Sequence, residues 1–188
     1  MFIEAHPVSV LQQFVLRSPI TTAVSVFLAR WLIIVFPCWI AFLFFKGRGK
    51  DRHAAVEAVW SLILTLVVTA LIAAVVQRAR PFLTVMDLGY PITRLIPAPL
   101  NTSFPSGHTG AAATMACVIF WMYRRSGLIA FACAALVALG RVLVGVHFPT
   151  DILGGVMVGL ISFSMVRIGH RQIRRQDIAE SARQHHHV

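Results

Sequence analysis

Five runs of roughly twenty apolar residues, parted by short polar stretches, leave this chain few ways to fold. They are Ile20–Phe45, Ala54–Gln77, Ser106–Tyr123, Gly127–Val146 and Asp151–Ile168. As an α-helix, a run of that length crosses the hydrocarbon of a bilayer, about 30 Å. Every backbone N–H and C=O must be bonded internally there, which favours helices over isolated strands. With 57% hydrophobic and only 13% charged residues among 188, polar surface is too scarce for a water-soluble domain. The expectation is an all-α integral membrane protein, one domain built as a bundle of five to six transmembrane helices.

The flanks are more mixed. In residues 1–19, Val8, Leu11, Val15 and Leu16 can form one apolar face, with Pro19 ending the helix, which suits an interfacial N-terminal helix or a sixth, partial span. Residues 20–168 form the membrane bundle and 169–188 a basic cytoplasmic tail, whose terminal HHHV reads as a solvated end. The first nineteen residues lack a basic start followed by an apolar core, so no cleavable signal is expected. Cys38, Cys117 and Cys133 lie inside apolar runs without metal-ligand spacing and read as small core or lipid-facing residues.

A net charge of +10 would suit nucleic acid, but the basic residues fall mainly between apolar runs, where they set topology. No nucleic-acid partner is expected. Lys46, Arg48, Lys50 and Arg52 fill the first loop, Arg124 and Arg125 the third, and Arg167, Arg171, Arg174 and Arg175 follow the last run. Placing all of these in the cytoplasm satisfies the positive-inside rule and sends Arg78–Pro105 and His147–Thr150 to the other side. Trp60, Trp121 and Tyr123 then lie at the cytoplasmic boundary, with Glu57 facing water or Arg52. Arg30 snorkels or bonds a neighbouring helix, and Gly155 and Gly159 suit close helix packing.

Three polar clusters meet on that extracytoplasmic face: QRARPF (Gln77–Phe82), SFPSGHTG (Ser103–Gly110) and GRVLVGVHFPTD (Gly140–Asp151). Pro105 suits a helix's first turn, which would put the amides of Ser106, Gly107 and His108 at the positive end of its dipole, a ready anion site. The plainer reading is a serine cap. His147 and Asp151, four residues apart, can pair so that the carboxylate fixes the imidazole tautomer and frees the other nitrogen as base, nucleophile or ligand. Here the plainer reading makes Asp151 a helix cap and His147 an interfacial side chain. Arg80 and Arg141 add charge at apolar boundaries, and Arg80 alone would pass for a snorkelling arginine. Together the clusters hold more positive character than Asp151 and Asp87 balance, an excess that a dianionic phosphate would match.

The order RP, PSGH, then R-x5-H-x3-D over Arg80–Asp151 resembles the type 2 phosphatidic acid phosphatases, membrane lipid phosphatases related to vanadium haloperoxidases. SFPSGHTG and GVHFPTDILGG look most like the family's bacterial undecaprenyl-diphosphate phosphatases. The resemblance implies a phosphatase without metal or other cofactor, working through a phosphohistidine. By matching position, His147 would be the nucleophile, Asp151 its orienting partner and His108 the general acid that later helps activate water. Arg80, Ser106, Gly107 and Arg141 would hold the phosphoryl oxygens. Two positions depart from the pattern. Ala73 stands where the first motif usually has lysine, with Arg78 a candidate for the missing charge, and Gly140 replaces a serine before Arg141.

The implied substrate is a lipid phosphate or diphosphate: undecaprenyl diphosphate first, phosphatidylglycerophosphate, phosphatidic acid or a lipid A phosphate as rivals. The implied place is the bacterial cytoplasmic membrane, with the site facing the periplasm or exterior. Two histidines in opposite protonation states would give a bell-shaped pH–rate curve. Two other classes use the same residues. A metalloenzyme would take His108, His147 and Asp151 as ligands, and a non-enzymatic lipid-phosphate binder or transporter would need only the basic pocket. Head-group contacts are expected from Asp87–Leu100, whose prolines 91, 97 and 99 argue for an irregular loop. No oligomeric state is implied.

Overall fold

The computed structural model describes residues 2–46, 49–84, 91–100 and 102–185; readings that rest on Arg48, Asp87 or residues 186–188 lie outside them. Among the described residues all regular structure is helical. Helix α1 spans Phe2–Leu16 and α2 Pro19–Arg30, followed by a 3₁₀ turn, Leu32–Ile34, and α3, Val35–Lys46. Then come α4 (Gly49–Val76), the short α5 (Pro81–Thr84), α6 (Gly107–Met122), α7 (Arg124–Leu143) and α8 (Pro149–His185).

Proline chemistry sets two boundaries differently from expectation. Pro19 opens α2 instead of ending α1, because a proline at the first helical position lacks only an N–H that would have no partner. The Ser18 side chain caps that start, accepting from Ile20 N at 3.2 Å. Pro37, third in α3, has no N–H for the Ile33 carbonyl, so the first apolar run breaks into α2, the 3₁₀ turn and α3.

Among the described residues four segments are long and apolar enough to cross a membrane: Pro19–Phe45, Arg52–Leu83, Arg124–Leu143 and Pro149–Ile173. The fifth expected span, α6, has 16 residues, about 24 Å of helix. It runs from the site end to the opposite end as the hub of the bundle, with Thr109 through Ile119 buried against α4, α7 and α8. The outer surface is apolar: Val75 is 84% exposed, with Ile20, Phe45, Leu71 and Leu153 also turned outward. That inside-out pattern is what a lipid-facing surface requires. The expected tail proves to be helical as far as His185, continuous with α8.

Helices in lipid gain little from hiding apolar surface from one another, so close approach has to come from small residues and hydroxyls. A Cβ on Gly155 would stand 2.5 Å from the Ser106 carbonyl oxygen, and one on Gly159 2.6 Å from the Gly110 carbonyl oxygen. These two glycines let α8 lie against α6, as expected. Between α4 and α6 the Thr65 and Thr114 hydroxyls meet at 2.7 Å, one donating to the other, and each lies within hydrogen-bond distance of a carbonyl one turn back.

Two further differences concern polar residues. The face that α1 buries is Ala5, Val8, Ser9, Gln12 and Val15, while Leu11 and Leu16 stay exposed. Gln12 decides this: its amide bonds Thr93 in both directions, at 2.7 and 2.6 Å, fastening α1 to the irregular segment 91–100. Glu57 faces neither water nor Arg52. It is buried, with Arg167 Nη1 at 2.7 Å, because the extended α8 carries that arginine back over α4. Arg167 and Arg171 also lie over the Trp121 ring, at 4.4 and 5.0 Å from its centroid. Arg30 is exposed and lies over Trp31 at 5.3 Å. Cys38, Cys117 and Cys133 are free thiols.

Candidate active site

Where α4 ends, Gln77 takes a left-handed backbone, φ 45°, turning the chain so that Arg78 and Arg80 run along the end of the bundle. The starts of α6 and α8 and the end of α7 lie at the same end. All three polar clusters are therefore brought together.

Asp151 is wholly buried and third in α8, and its Oδ2 accepts the N–H of Phe148 at 2.8 Å, half of a capping box. The same oxygen lies 3.6 Å from His147 Nδ1. Helix cap and histidine neighbour, set as alternatives by the sequence, are thus both realised. The hydrogen bond to His147 comes from elsewhere: Nδ1 lies 2.9 Å from the Ser103 carbonyl oxygen. A carbonyl can only accept, so Nδ1 carries the proton and Nε2 of the neutral ring keeps its lone pair.

His147 is 3% exposed. Burial holds its pKa below the ordinary imidazole value; Asp151 counteracts this, while Arg141 and Arg80 push the same way as burial. His108 is exposed at the first turn of α6, within electrostatic reach of Arg141, His147 and Arg80. These four groups form one electropositive cluster.

Arg80 and Arg141 are both buried and close enough to repel one another. Arg80 Nη1 donates to the Val146 carbonyl at 3.0 Å, and Arg141 Nη1 to the Ala29 carbonyl at 3.3 Å. Among the described residues Arg141 has no ion pair, and its buried Nε lacks a hydrogen-bond partner. Two desolvated guanidiniums side by side suit an anion between them. Gly140, where a serine hydroxyl was the pattern, has no room for one: a Cβ would stand 2.6 Å from Ala29 N.

The α6 start is shifted from expectation. The helix begins at Gly107, so Pro105 precedes it by two residues. The Ser106 N–H donates to the Asp151 carbonyl at 3.0 Å and its hydroxyl lies 3.0 Å from Thr109 Oγ1, so the serine ties α6 to α8. The first helical bond runs from Gly110 N to Ser106 O, which leaves the Gly107 and His108 amides ahead of it. A Cβ on Gly107 would meet only the Thr69 methyl, at 3.7 Å, so the position is open.

Arg78, the candidate for the charge missing at Ala73, is engaged by other groups. Its guanidinium donates to Asp151 Oδ1 at 2.8 Å, Thr150 Oγ1 at 2.5 Å and Glu4 Oε2 at 2.5 Å, and it lies over the Phe148 ring. With both carboxylates on it, it is held against α1 and α8. Sequence reasoning missed Glu4 and Ser103. Glu4 is the sole acid in residues 1–19, a hint that it has a cationic partner, but that partner lies 74 positions away. Ser103 acts through its carbonyl, which any residue could supply.

The sequence profile described as the PAP2 superfamily matches residues 54–175. YbjG of Escherichia coli is 29% identical over 164 residues, 84% of this chain and 80% of its own. Undecaprenyl-diphosphatase BcrC of Bacillus subtilis is 27% identical over 145 residues, 77% of this chain and 72% of its own. The crystal structure of Aquifex aeolicus LpxE superposes with a TM-score of 0.71 at 23% identity, covering 87% of this chain and 94% of that one.

Proposed function

This chain belongs to the PAP2 superfamily, and on that premise we propose that it hydrolyses a lipid phosphate or diphosphate through a phosphohistidine, with undecaprenyl diphosphate as substrate and undecaprenyl phosphate as product. The observation that carries the mechanism is the bond from His147 Nδ1 to the Ser103 carbonyl, 2.9 Å, because it leaves Nε2 unprotonated. Support for the substrate is the match to a relative named undecaprenyl-diphosphatase along 77% of this chain.

Nε2 of His147 attacks the terminal phosphorus, forming a P–N bond as the bridging P–O bond breaks. The proton on His108 passes to the departing lipid oxygen. Water then gives a proton back to His108 and its oxygen to phosphorus, releasing inorganic phosphate and the free imidazole. Arg80, Arg141 and the Gly107 and His108 amides balance charge on the equatorial oxygens, the chief requirement of phosphoryl transfer. Asp151, 3.6 Å from Nδ1, offsets the positive charge that His147 gains in the intermediate. A dianion arriving beside Arg80, Arg141 and His108 favours the protonated imidazole that donates to the leaving oxygen.

The reading places the chain in the bacterial cytoplasmic membrane, with the site towards the exterior. Its test is phosphate release by purified protein from undecaprenyl diphosphate, phosphatidylglycerophosphate and phosphatidic acid, in excess chelator. Undecaprenyl diphosphate is expected to turn over fastest, and His147→Ala to lose at least about 10³-fold. Turnover that survives His147→Ala, or that chelation abolishes, overturns the mechanism; preference for a glycerolipid overturns the substrate.

A further inference from the structure

The N-terminal helix reaches the reacting imidazole through a chain of charges. Glu4 Oε2 lies 2.5 Å from Arg78 Nη2 and 3.0 Å from the Thr150 hydroxyl. Arg78 Nη1 binds the same hydroxyl and Asp151 Oδ1, and Asp151 Oδ2 faces His147 Nδ1. Asp151 is 0% exposed, and the side chains of Glu4 and Arg78 are each 19% exposed. The inner end of the chain, at Asp151, is therefore shielded from water, where charges act more strongly than at a surface, while Thr150 at its outer end is exposed. The chain is also braced. The Phe148 ring lies beneath Arg78, 4.5 Å from centroid to guanidinium, and Gln12 anchors α1 two turns further on.

From this we infer that Glu4 is a positioning residue for the phosphatase reaction, acting through Arg78 to set where the Asp151 carboxylate sits and how strongly it supports His147. The inference rests on the reading of His147 and Asp151 given above. An arginine facing Asp151 alone would draw the carboxylate towards itself and cancel its charge. Glu4 supplies the second carboxylate that Arg78 needs, so Asp151 keeps enough negative character for the imidazole. The charged and titratable groups around His147 are then Glu4 from α1, Arg78 and Arg80 from the link after α4, His108 from α6, Arg141 from α7 and Asp151 from α8. Four of the six are cationic or can become so. Removing one of the two acids should therefore be felt at His147.

The test is the pH dependence of kcat and KM for the full chain on undecaprenyl diphosphate, comparing Glu4→Gln, Glu4→Asp and His147→Ala with the parent. Loss of a negative charge disfavours the protonated imidazole, so the acid limb of Glu4→Gln is expected to move to lower pH by about half a unit. Its kcat should fall roughly tenfold with KM within about twofold, the behaviour of a coupled charged network. Glu4→Asp keeps the charge and should leave the limb in place with an intermediate kcat. It also serves as the deciding variant if Glu4→Gln does not fold: a limb displaced by Glu4→Asp, or a kcat equal to the parent's, overturns the inference. So does a Glu4→Gln limb that stays put, whether or not kcat falls, since a purely structural role would change the amount of active enzyme and not its titration. An active His147→Ala would sink the mechanism as well, whereas an unaltered Glu4→Gln beside an inactive His147→Ala sinks this inference alone.

Discussion

In the proposed mechanism His147 must meet phosphorus as the neutral base, which burial beside two arginines favours. The sign is direct: a lowered pKa preserves the neutral form to more acidic pH, so activity lost through protonation of His147 disappears only below the ordinary imidazole value of about 6.5. In kcat/KM, which reports the free enzyme, the acid limb should be centred below that value, while the alkaline limb of kcat, which reports the complex, belongs to His108. Phosphate release measured across pH in detergent checks it, and an acid limb centred above about 7 would exclude His147 as a buried neutral nucleophile.

At the scale of helices, the site depends on how closely α8 approaches α6. The Ser106 carbonyl, which a Cβ on Gly155 would press at 2.5 Å, accepts the first hydrogen bond of α6, and the Ser106 N–H is held by α8. Gly155→Ala should therefore push the His108 turn out of register. We expect a destabilisation of about 1–3 kcal/mol, seen as a lower unfolding midpoint in detergent, with a larger proportional loss of turnover. Parental activity in this variant would mean that the two helix starts are not coupled. The glycines of this contact were legible in the sequence because their spacing matches a helical stripe. So were the three clusters, since polar residues stand out among apolar runs. Less legible was whatever depends on distant partners or local backbone: the break at Pro37, the bond from Gln12 to Thr93, the pair Glu57–Arg167, and Glu4 on Arg78. Hydropathy also does not reveal that α6, at 16 residues, is an enclosed hub, because it scores composition and not neighbours.

For the whole molecule, charge fixes the expected orientation. Arg52, Arg124 and Arg125 occupy helix ends opposite the site, with Arg167 and Arg171 of α8 beside Trp121 near them, so on the positive-inside rule the site is expected to face outward. In a variant with Cys38, Cys117 and Cys133 replaced by alanine, Arg94→Cys should react with a membrane-impermeant maleimide added to intact cells. Arg125→Cys, exposed at the other end, should react only after permeabilisation. The reverse pattern would invert the topology and with it the proposed place of action. The shortness of α6 has a consequence of its own. A hub of about 24 Å within a slab of about 30 Å leaves its starting turn below the rim of the slab. A phosphate tethered to a long hydrocarbon can then reach the histidines without being lifted into water. Encounter becomes a two-dimensional search within one leaflet, and saturation follows the mole fraction of the lipid in that sheet, not its amount per litre.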